Sequence, residues 1–459
     1  MIPLSLRTMA RITQGTLVCS GKTPRTYTSA TIDSRNVPPG SVFIAIKGDT
    51  HDSHEFIPEL LKIPCALVVS RPESVAGVSN PAIIVTDTRK ALGQLGAHCR
   101  ERFAGTVIAI GGSNGKTTTK HMVGSVLAAR LKGTQSPKSF NNDIGVPLTL
   151  LGVSRRDHYV VLELGTNHPG ELAPLSIMAR PNIAVITSIG AEHLEGFADL
   201  DGVRREELTL LNGLMPNGVA IVNGDDPILA LARRRSPSQL ISFGFDPDND
   251  LAITSTQCSL DGVQFTIRGE PEPFYVPLPG RHNASNALAA IAVGRAMSMG
   301  FPTIRKALAN TTRPEMRMQT VRAGDITILN DAYNANPASM SAALETLRDA
   351  DVPGRRIAVL GEMRELGEHS AALHQQIGQL AVHCKLDLLI AVGPGGQTIA
   401  AAALAAGMPK SKVKQLADSA AAAARVPGLL RKDDTVLLKA SRTIKLELVA
   451  QAIAKQFNA

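Results

Sequence analysis

The sequence predicts an α/β protein of three domains: a small N-terminal α/β domain, a central domain built on a mainly parallel sheet, and a C-terminal Rossmann-like domain. Three observations point there. The chain has 459 residues, and at roughly 100–200 residues per domain that length asks for two to four. Short runs rich in Val and Ile alternate with longer stretches of helical composition, the pattern of parallel strands joined by helical crossovers. The character of the segments also changes twice, which sets the expected domains at 1–86, 87–316 and 317–459.

In the first domain SVFIAIKG (41–48), CALVV (65–69) and AIIVTD (82–87) are the strand candidates, with VPPG at 37–40 as a turn. The second opens with a helix, TRKALGQLGAHCRERF, leading into TVIAIGGSNGKTTTKHMVGSVLAAR: an apolar strand, a glycine-rich loop and a helix. YVVLELG (159–165), NIAVITSIG (182–190) and GVAIVNGDDP (218–227) continue its sheet, and 241–279 is expected to be antiparallel. After the helix NASNALAAIAVGRAMSMG (283–300) come four more strand candidates. They are ITILNDAY (326–333), RIAVLGE (356–362), LDLLIAVG (386–393) and TVLLKAS (435–441). The Ala-rich tracts at 400–406 and 419–424 read as helix surface.

Composition excludes several classes. A hydrophobic content of 44% fills real cores and rules out disorder as the main state. No apolar run reaches the ~18–20 residues of a membrane helix, and MIPLSLRTMARITQ lacks the apolar core of a signal peptide, so a cytoplasmic protein is expected. Cys19, Cys65, Cys99, Cys258 and Cys384 are far apart and include no CxxC, which argues against disulfides or a cysteine zinc site and for buried, reduced thiols. The net charge of +8 could attract nucleic acid, but the cations are scattered and only 3% of residues are aromatic. The densest cluster, Arg233 to Arg235, reads as a solvated face. An anionic substrate accounts for the charge equally well.

The strongest local signal is Gly111-Gly112-Ser113-Asn114-Gly115-Lys116-Thr117-Thr118, placed between a strand and a helix. Glycines let backbone N–H groups converge on an anion, the helix N-terminus adds its dipole, Lys116 supplies charge to phosphates, and Thr117 can hold Mg²⁺. Ile110 stands where the usual GxxxxGK[ST] pattern has glycine, so the loop is a compact variant. Glu163 and His193 fall at the carboxyl ends of neighbouring strand candidates, the edge where open α/β sheets bind ligands. With Thr117 they could form a Mg²⁺ shell, although imidazole is not magnesium's preferred ligand. Singly, Glu163 reads equally well as a helix-capping carboxylate and His193 as a loop histidine. Asn141 and Asn142 could cap a helix. Asn283 and Asn286 at a helix mouth, and Asp331 with Asn334 in DAYNANP, fit either capping and turns or ligand contact. Arg317, Lys439, Ser441 and Arg442 offer cations and a hydroxyl near the same edges, with surface charge as the plain alternative.

As a set, GGSNGKTTTK, NNDIGVPLTLL, LELGTNHPGEL, ITSIGAEHLEGF, HNASNALAA, DAYNANPASM, LGEMRELGE and LKASRTIKLE, with IDSRNVPPGSVFIAIKG near the start, are highly specific. They resemble the Mur ligase family of peptidoglycan synthesis through all three domains. The resemblance is strongest to members that join D-alanyl-D-alanine to UDP-N-acetylmuramoyl-tripeptide. It implies a UDP-sugar-binding N-terminal domain, a central ATPase and a C-terminal domain that closes over the site. It further implies transfer of the γ-phosphoryl group of ATP to the substrate carboxylate, followed by attack of the dipeptide amine. Lys116, with Mg²⁺ on Thr117, Glu163 and His193, would screen the phosphates. Gly112, Asn114, Gly115, Thr118, Asn286, Arg317, Asp331 and Asn334 would surround ATP. Ser34 and Arg35 would contact the uridine nucleotide, Asn141 and Asn142 the sugar or its peptide, and Ser441 and Arg442 the acceptor side.

One departure stands out. Where the family usually carries a CO₂-carboxylated lysine about fourteen residues after His193, this chain has Glu207 in GVRREELTLL. Three readings compete: Glu207 replaces the carbamate directly, Glu206 is the anion instead, or catalysis is altered. Outside the dipeptide ligases, the alternatives are another amino-acid-adding family member or a nucleotide-binding scaffold without turnover. Neither nucleic acid nor membrane insertion is expected, and three self-contained domains point to a monomer. The tripeptide's third residue, lysine or diaminopimelate, stays open.

Overall fold

The computed structural model describes residues 1–19, 24–48, 50–226, 229 and 239–458. The cluster Arg233 to Arg235 lies outside the described residues. The architecture is α/β, with three mainly parallel sheets.

The first sheet has Val42–Ile44, Ala66–Val69 and Ala82–Ile84 parallel at its centre, Ala30–Thr31 on one edge and Thr16–Val18 antiparallel on the other. The two edge strands escape sequence reading because two or three residues cannot show a period. Helix Thr88–Glu101 puts Leu92, Leu95 and Cys99 into the same apolar cluster as Leu4, Met9, Val42 and Val68. It therefore shares its core with the first sheet as well as leading into the second.

The second sheet has nine strands, in the order Glu270–Val276, Val263–Ile267, Leu251–Cys258, Gln239–Gly244, Val219–Asn223, Ile183–Ile186, Thr106–Gly111, Tyr159–Glu163 and Gly133–Gln135. Its central strands are uninterrupted apolar runs because both faces are covered. Ile108 and Ile110 enter one core and Val107 and Ala109 the other. Within the stretch expected to be antiparallel, Gln239–Gly244 instead runs parallel to Val219–Asn223. The switch comes one strand later, where Leu251–Cys258 pairs antiparallel with Val263–Ile267.

The third sheet is ordered Gln319–Ala323, Ile326–Asn330, Thr435–Lys439, Arg356–Leu360, Leu388–Val392 and Val413–Leu416, parallel except for its first strand. Of the Ala-rich tracts, Ala400, Ala403 and Ala422 are fully buried, so they are packing faces as well as surface. Cys65, Cys99 and Cys384 are buried, whereas Cys258 is half-buried and Cys19 exposed, against the expectation of burial. Among the described residues no helix is long and apolar enough to cross a membrane.

Candidate nucleotide site

Strand Thr106–Gly111 delivers the loop, and helix Lys116–Ala128 leaves it. Two of its glycines are required by geometry. Gly112 has φ 114° and Gly115 φ 83°, where side chains are strained. A Cβ on Gly112 would lie 2.3 Å from Thr187 Oγ1, and one on Gly115 2.3 Å from Asn286 Oδ1. The N–H groups of residues 112 to 114 face inward: Gly112 to Glu207 Oε2 at 2.7 Å, Ser113 to the Ser188 carbonyl at 2.8 Å, and Asn114 to Ser188 Oγ at 3.0 Å. No side chain caps the helix that follows, so the N–H groups of its first turn are left to receive an anion.

A cavity of about 530 Å³ opens on this loop, between the second and third sheets. Asn114, Gly115, Lys116, Thr117, Thr118, Asn141, Asn142, Glu163, His193, Asn283, Asn286, Arg317, Asp331 and Asn334 all line it. A smaller adjoining cavity is lined by Ser441 and Arg442, again with His193 and Asn334. Gly112, Glu207, Ser34 and Arg35 line neither. Arg35 is turned onto Asp33 at 2.8 and 2.9 Å within the N-terminal sheet's loop.

Most of the lining groups are held by partners. Lys120 donates to Glu163 Oε2 at 2.9 Å, and Asn141 to Glu163 Oε1 at 3.2 Å; the carboxylate is thus paired rather than capping a helix. Asn142 does cap, accepting from the Gly145 N–H at 3.0 Å. Asn283 and Asn286 sit inside helix Arg281–Ala296, joined at 3.1 Å, with Thr119 Oγ1 donating to Asn286 at 3.3 Å. Asp331 accepts from Lys439 at 2.5 Å. Arg317 lies 4.0 Å over the ring of Tyr333, an attractive cation–π geometry. Of the competing anions on helix Leu200–Leu208, Glu206 accepts from the N–H groups of Gly170 and Leu172 at 2.8 and 2.7 Å. That pairing places Glu206 away from the loop, and Glu207 directly beneath it.

Three contacts join the walls. Tyr333 Oη meets Ser139 Oγ at 2.7 Å, Asn336 Nδ2 donates to Asn114 Oδ1 at 2.9 Å, and His193 Nδ1 pairs with Glu365. Tyr333, Asn336, Glu365 and Glu192 were not singled out from sequence. Each acquires its place only when segments about 80 to 220 residues apart fold together.

Charge at the loop is concentrated. Burial works against the Lys116 ammonium, but Glu192, Glu207 and Glu163 outweigh it and hold its pKa above the ordinary lysine value. Burial pushes Glu192 up to about 8 against the pull of Lys116. Burial likewise raises Glu207, opposed by Lys116 and the Gly112 N–H. His193 is lowered by burial, with Glu365 opposing. The Thr117 hydroxyl and carboxylate oxygens suit a hard cation. Among the described residues no three His, Cys, Asp or Glu side chains are grouped so as to hold a metal ion by themselves.

Comparison with known proteins agrees with this arrangement. Residues 110–294 match the Mur ligase middle domain, and residues 316–442 the Mur ligase, glutamate ligase domain. The chain is 35% identical to the UDP-N-acetylmuramoyl-tripeptide--D-alanyl-D-alanine ligase of Escherichia coli (strain K12), over 93% of this chain and 94% of that one. It is 33% identical to the protein of the same name from Bacillus subtilis (strain 168), over 98% of each. Among solved structures it superposes on MurF from Acinetobacter baumannii with TM-score 0.88, at 31% identity over 99% of both chains. MurF ligase from Thermotoga maritima in complex with ADP gives TM-score 0.81, at 26% identity over 94% of this chain and 97% of that one.

Proposed function

The chain belongs to the Mur ligase family, and from that membership we propose that it joins D-alanyl-D-alanine to UDP-N-acetylmuramoyl-tripeptide, converting ATP to ADP and phosphate. The observation that carries the reading is the single cavity in which the phosphate loop, Glu163, His193, Asn286, Arg317 and Asp331 meet. The end-to-end likeness to the D-alanyl-D-alanine-adding relatives supports the choice of acceptor.

The chemistry follows from charge. A carboxylate oxygen of the tripeptide attacks the γ-phosphorus and ADP leaves, giving an acyl phosphate. The dipeptide amine then attacks the acyl carbon, and collapse of the tetrahedral intermediate expels phosphate. Carboxylate and triphosphate repel, so cations must accompany the approach. Lys116 and the first-turn N–H groups of its helix bind the phosphates. A magnesium ion on Thr117, Glu163 and His193 would add the remaining neutralisation. Asn286, Arg317, Asp331 and Asn334 orient the nucleotide. The bonds from Tyr333 and Asn336 across the cavity hold the walls together, which limits water access to the acyl phosphate. Ser441 and Arg442, on the adjoining cavity with His193, face the acceptor side. Ser34 and Arg35 in the N-terminal domain serve the uridine nucleotide, and Asn141 and Asn142 the sugar or peptide. The domains divide at 1–86, 87–316 and 317–459, and the enzyme works as a cytoplasmic monomer.

Phosphate release from ATP tests this, measured with UDP-muramoyl tripeptide carrying lysine or diaminopimelate, with and without D-alanyl-D-alanine, and with other amines. Release that needs both tripeptide and dipeptide is expected. Release driven equally by a single amino acid would reassign the enzyme within the family.

A further inference from the structure

Four carboxylates line the main cavity: Glu163, Glu171, Glu192 and Asp331. Three are engaged within the protein. Glu163 holds Lys120, Asp331 holds Lys439, and Glu171 accepts the N–H groups of Asn167 and His168 at 2.8 and 3.2 Å. Glu192 differs. Its side chain is 10% exposed, and its cationic partner is the loop lysine itself, with Lys116 Nζ 3.5 Å from Oε1. It also lines both cavities, beside His193.

A nucleotide's phosphates compete for the same ammonium. Once Lys116 turns to them, the enclosed Glu192 carboxyl must take up either a proton or another cation, because a buried and unpaired charge is costly. The cation that accompanies a nucleoside triphosphate is divalent. Glu207 cannot serve as readily, since its Oε2 is bound to the Gly112 N–H and the side chain lies beneath the loop, outside the cavity.

We propose that Glu192 is a ligand of the nucleotide's divalent cation, exchanging Lys116 for the metal when nucleotide binds, and that Glu207 is a positioning residue that braces the phosphate loop. The proposal rests on the nucleotide-site part of the ligase reading and not on the identity of the amino-acid acceptor. It divides between Glu192 and Glu207 the anionic role for which sequence offered Glu207 or Glu206.

The test is Mn²⁺ binding to the full chain at saturating ADP, with free Mn²⁺ read by electron paramagnetic resonance. Glu192→Gln is expected to weaken Mn²⁺ binding at least tenfold, while ADP binding in EDTA is retained or tightened because Lys116 is released. Glu207→Gln is expected to leave Mn²⁺ affinity within twofold and to weaken ADP equally with and without metal. Wild-type Mn²⁺ affinity in Glu192→Gln, or a tenfold loss in Glu207→Gln, overturns the proposal. ADP binding in EDTA also reports whether each variant is folded. Should Glu192→Gln not fold, Glu192→Ala must show the same tenfold loss, and unchanged affinity there overturns the proposal as well. Wild-type protein that binds ADP and Mn²⁺ but releases no phosphate with any amine would remove the ligase reading and leave this one standing.

Discussion

One turn of helix Lys116–Ala128 separates two lysines that each meet a carboxylate, and the two pairs are not alike. Lys120 and Glu163 lie 2.9 Å apart with side chains 0% and 2% exposed; Lys116 and Glu192 lie 3.5 Å apart at 14% and 10%. Lys120 is fastened further by the Lys138 carbonyl. Lys116 is held by the Gly112 carbonyl and faces the open cavity. Near-complete burial and the second acceptor on Lys120 hold the first pair in place, with Glu163 at the cavity wall. Partial exposure makes the second exchangeable, as a phosphate-binding lysine has to be.

Substitution separates the two roles. Lys116→Ala should lower turnover by about a thousandfold or more, because a cation aimed at developing phosphate charge is lost, with the melting temperature little changed. Near-wild-type phosphate release in that variant would refute the assignment. Lys120→Met should instead cost about 3–5 kcal/mol of stability in denaturant unfolding, since it leaves Glu163 buried and unpaired. Adding Glu163→Gln should recover part of that loss; no recovery would mean that the lysine stem, not the charge, is what the core needs.

The contacts between the walls should matter less. Tyr333→Phe removes the bond to Ser139 while keeping the ring under Arg317. A loss of about fivefold in kcat/KM is expected, from a net hydrogen bond of about 1 kcal/mol. An effect on pH dependence and not on rate is expected beside a third lysine–carboxylate pair, Lys439–Asp331. Beside it burial lowers the His282 pKa to about 4, with Asp331 opposing and Lys439 assisting. The unfolded chain, with an ordinary histidine near 6.5, binds more protons between those values. Stability from this group is therefore fully present above about pH 6.5 and is lost as pH falls towards 4. His282→Gln should flatten that acid limb in a pH series of unfolding curves, and an unaltered limb would place the acid sensitivity elsewhere.

The contrast between the pairs also marks how far the sequence could be read. The phosphate loop was legible because its glycines, lysine and hydroxyls are contiguous and their flanking strand and helix have strong periods. Lys120 could have been inferred from its i, i+4 spacing to Lys116, but not its partner, 43 residues away. Glu192 was hidden because the lysine it meets, Lys116, lies 76 residues away in sequence. Glu207 was found as the anomalous residue, but its reach was not. Only the docked helix shows that its carboxylate stops at the Gly112 N–H. Strands such as Gly133–Gln135 and Ala30–Thr31 were missed for their brevity, and Gln239–Gly244 was misdirected because strand direction is set by neighbours and not by composition.

The bond from Gly112 to Glu207 spans 95 residues of chain, and this has a consequence for synthesis. A ribosome delivers the loop long before it delivers the helix that braces it. A nascent chain ending short of residue 207 has the full loop sequence without the brace that sets its first N–H. In domains that fold as units, such long-range closure comes late. The growing polypeptide therefore braces its phosphate loop only after four of the nine strands of the central sheet have emerged, and fragments cut before that helix should fail to retain ADP.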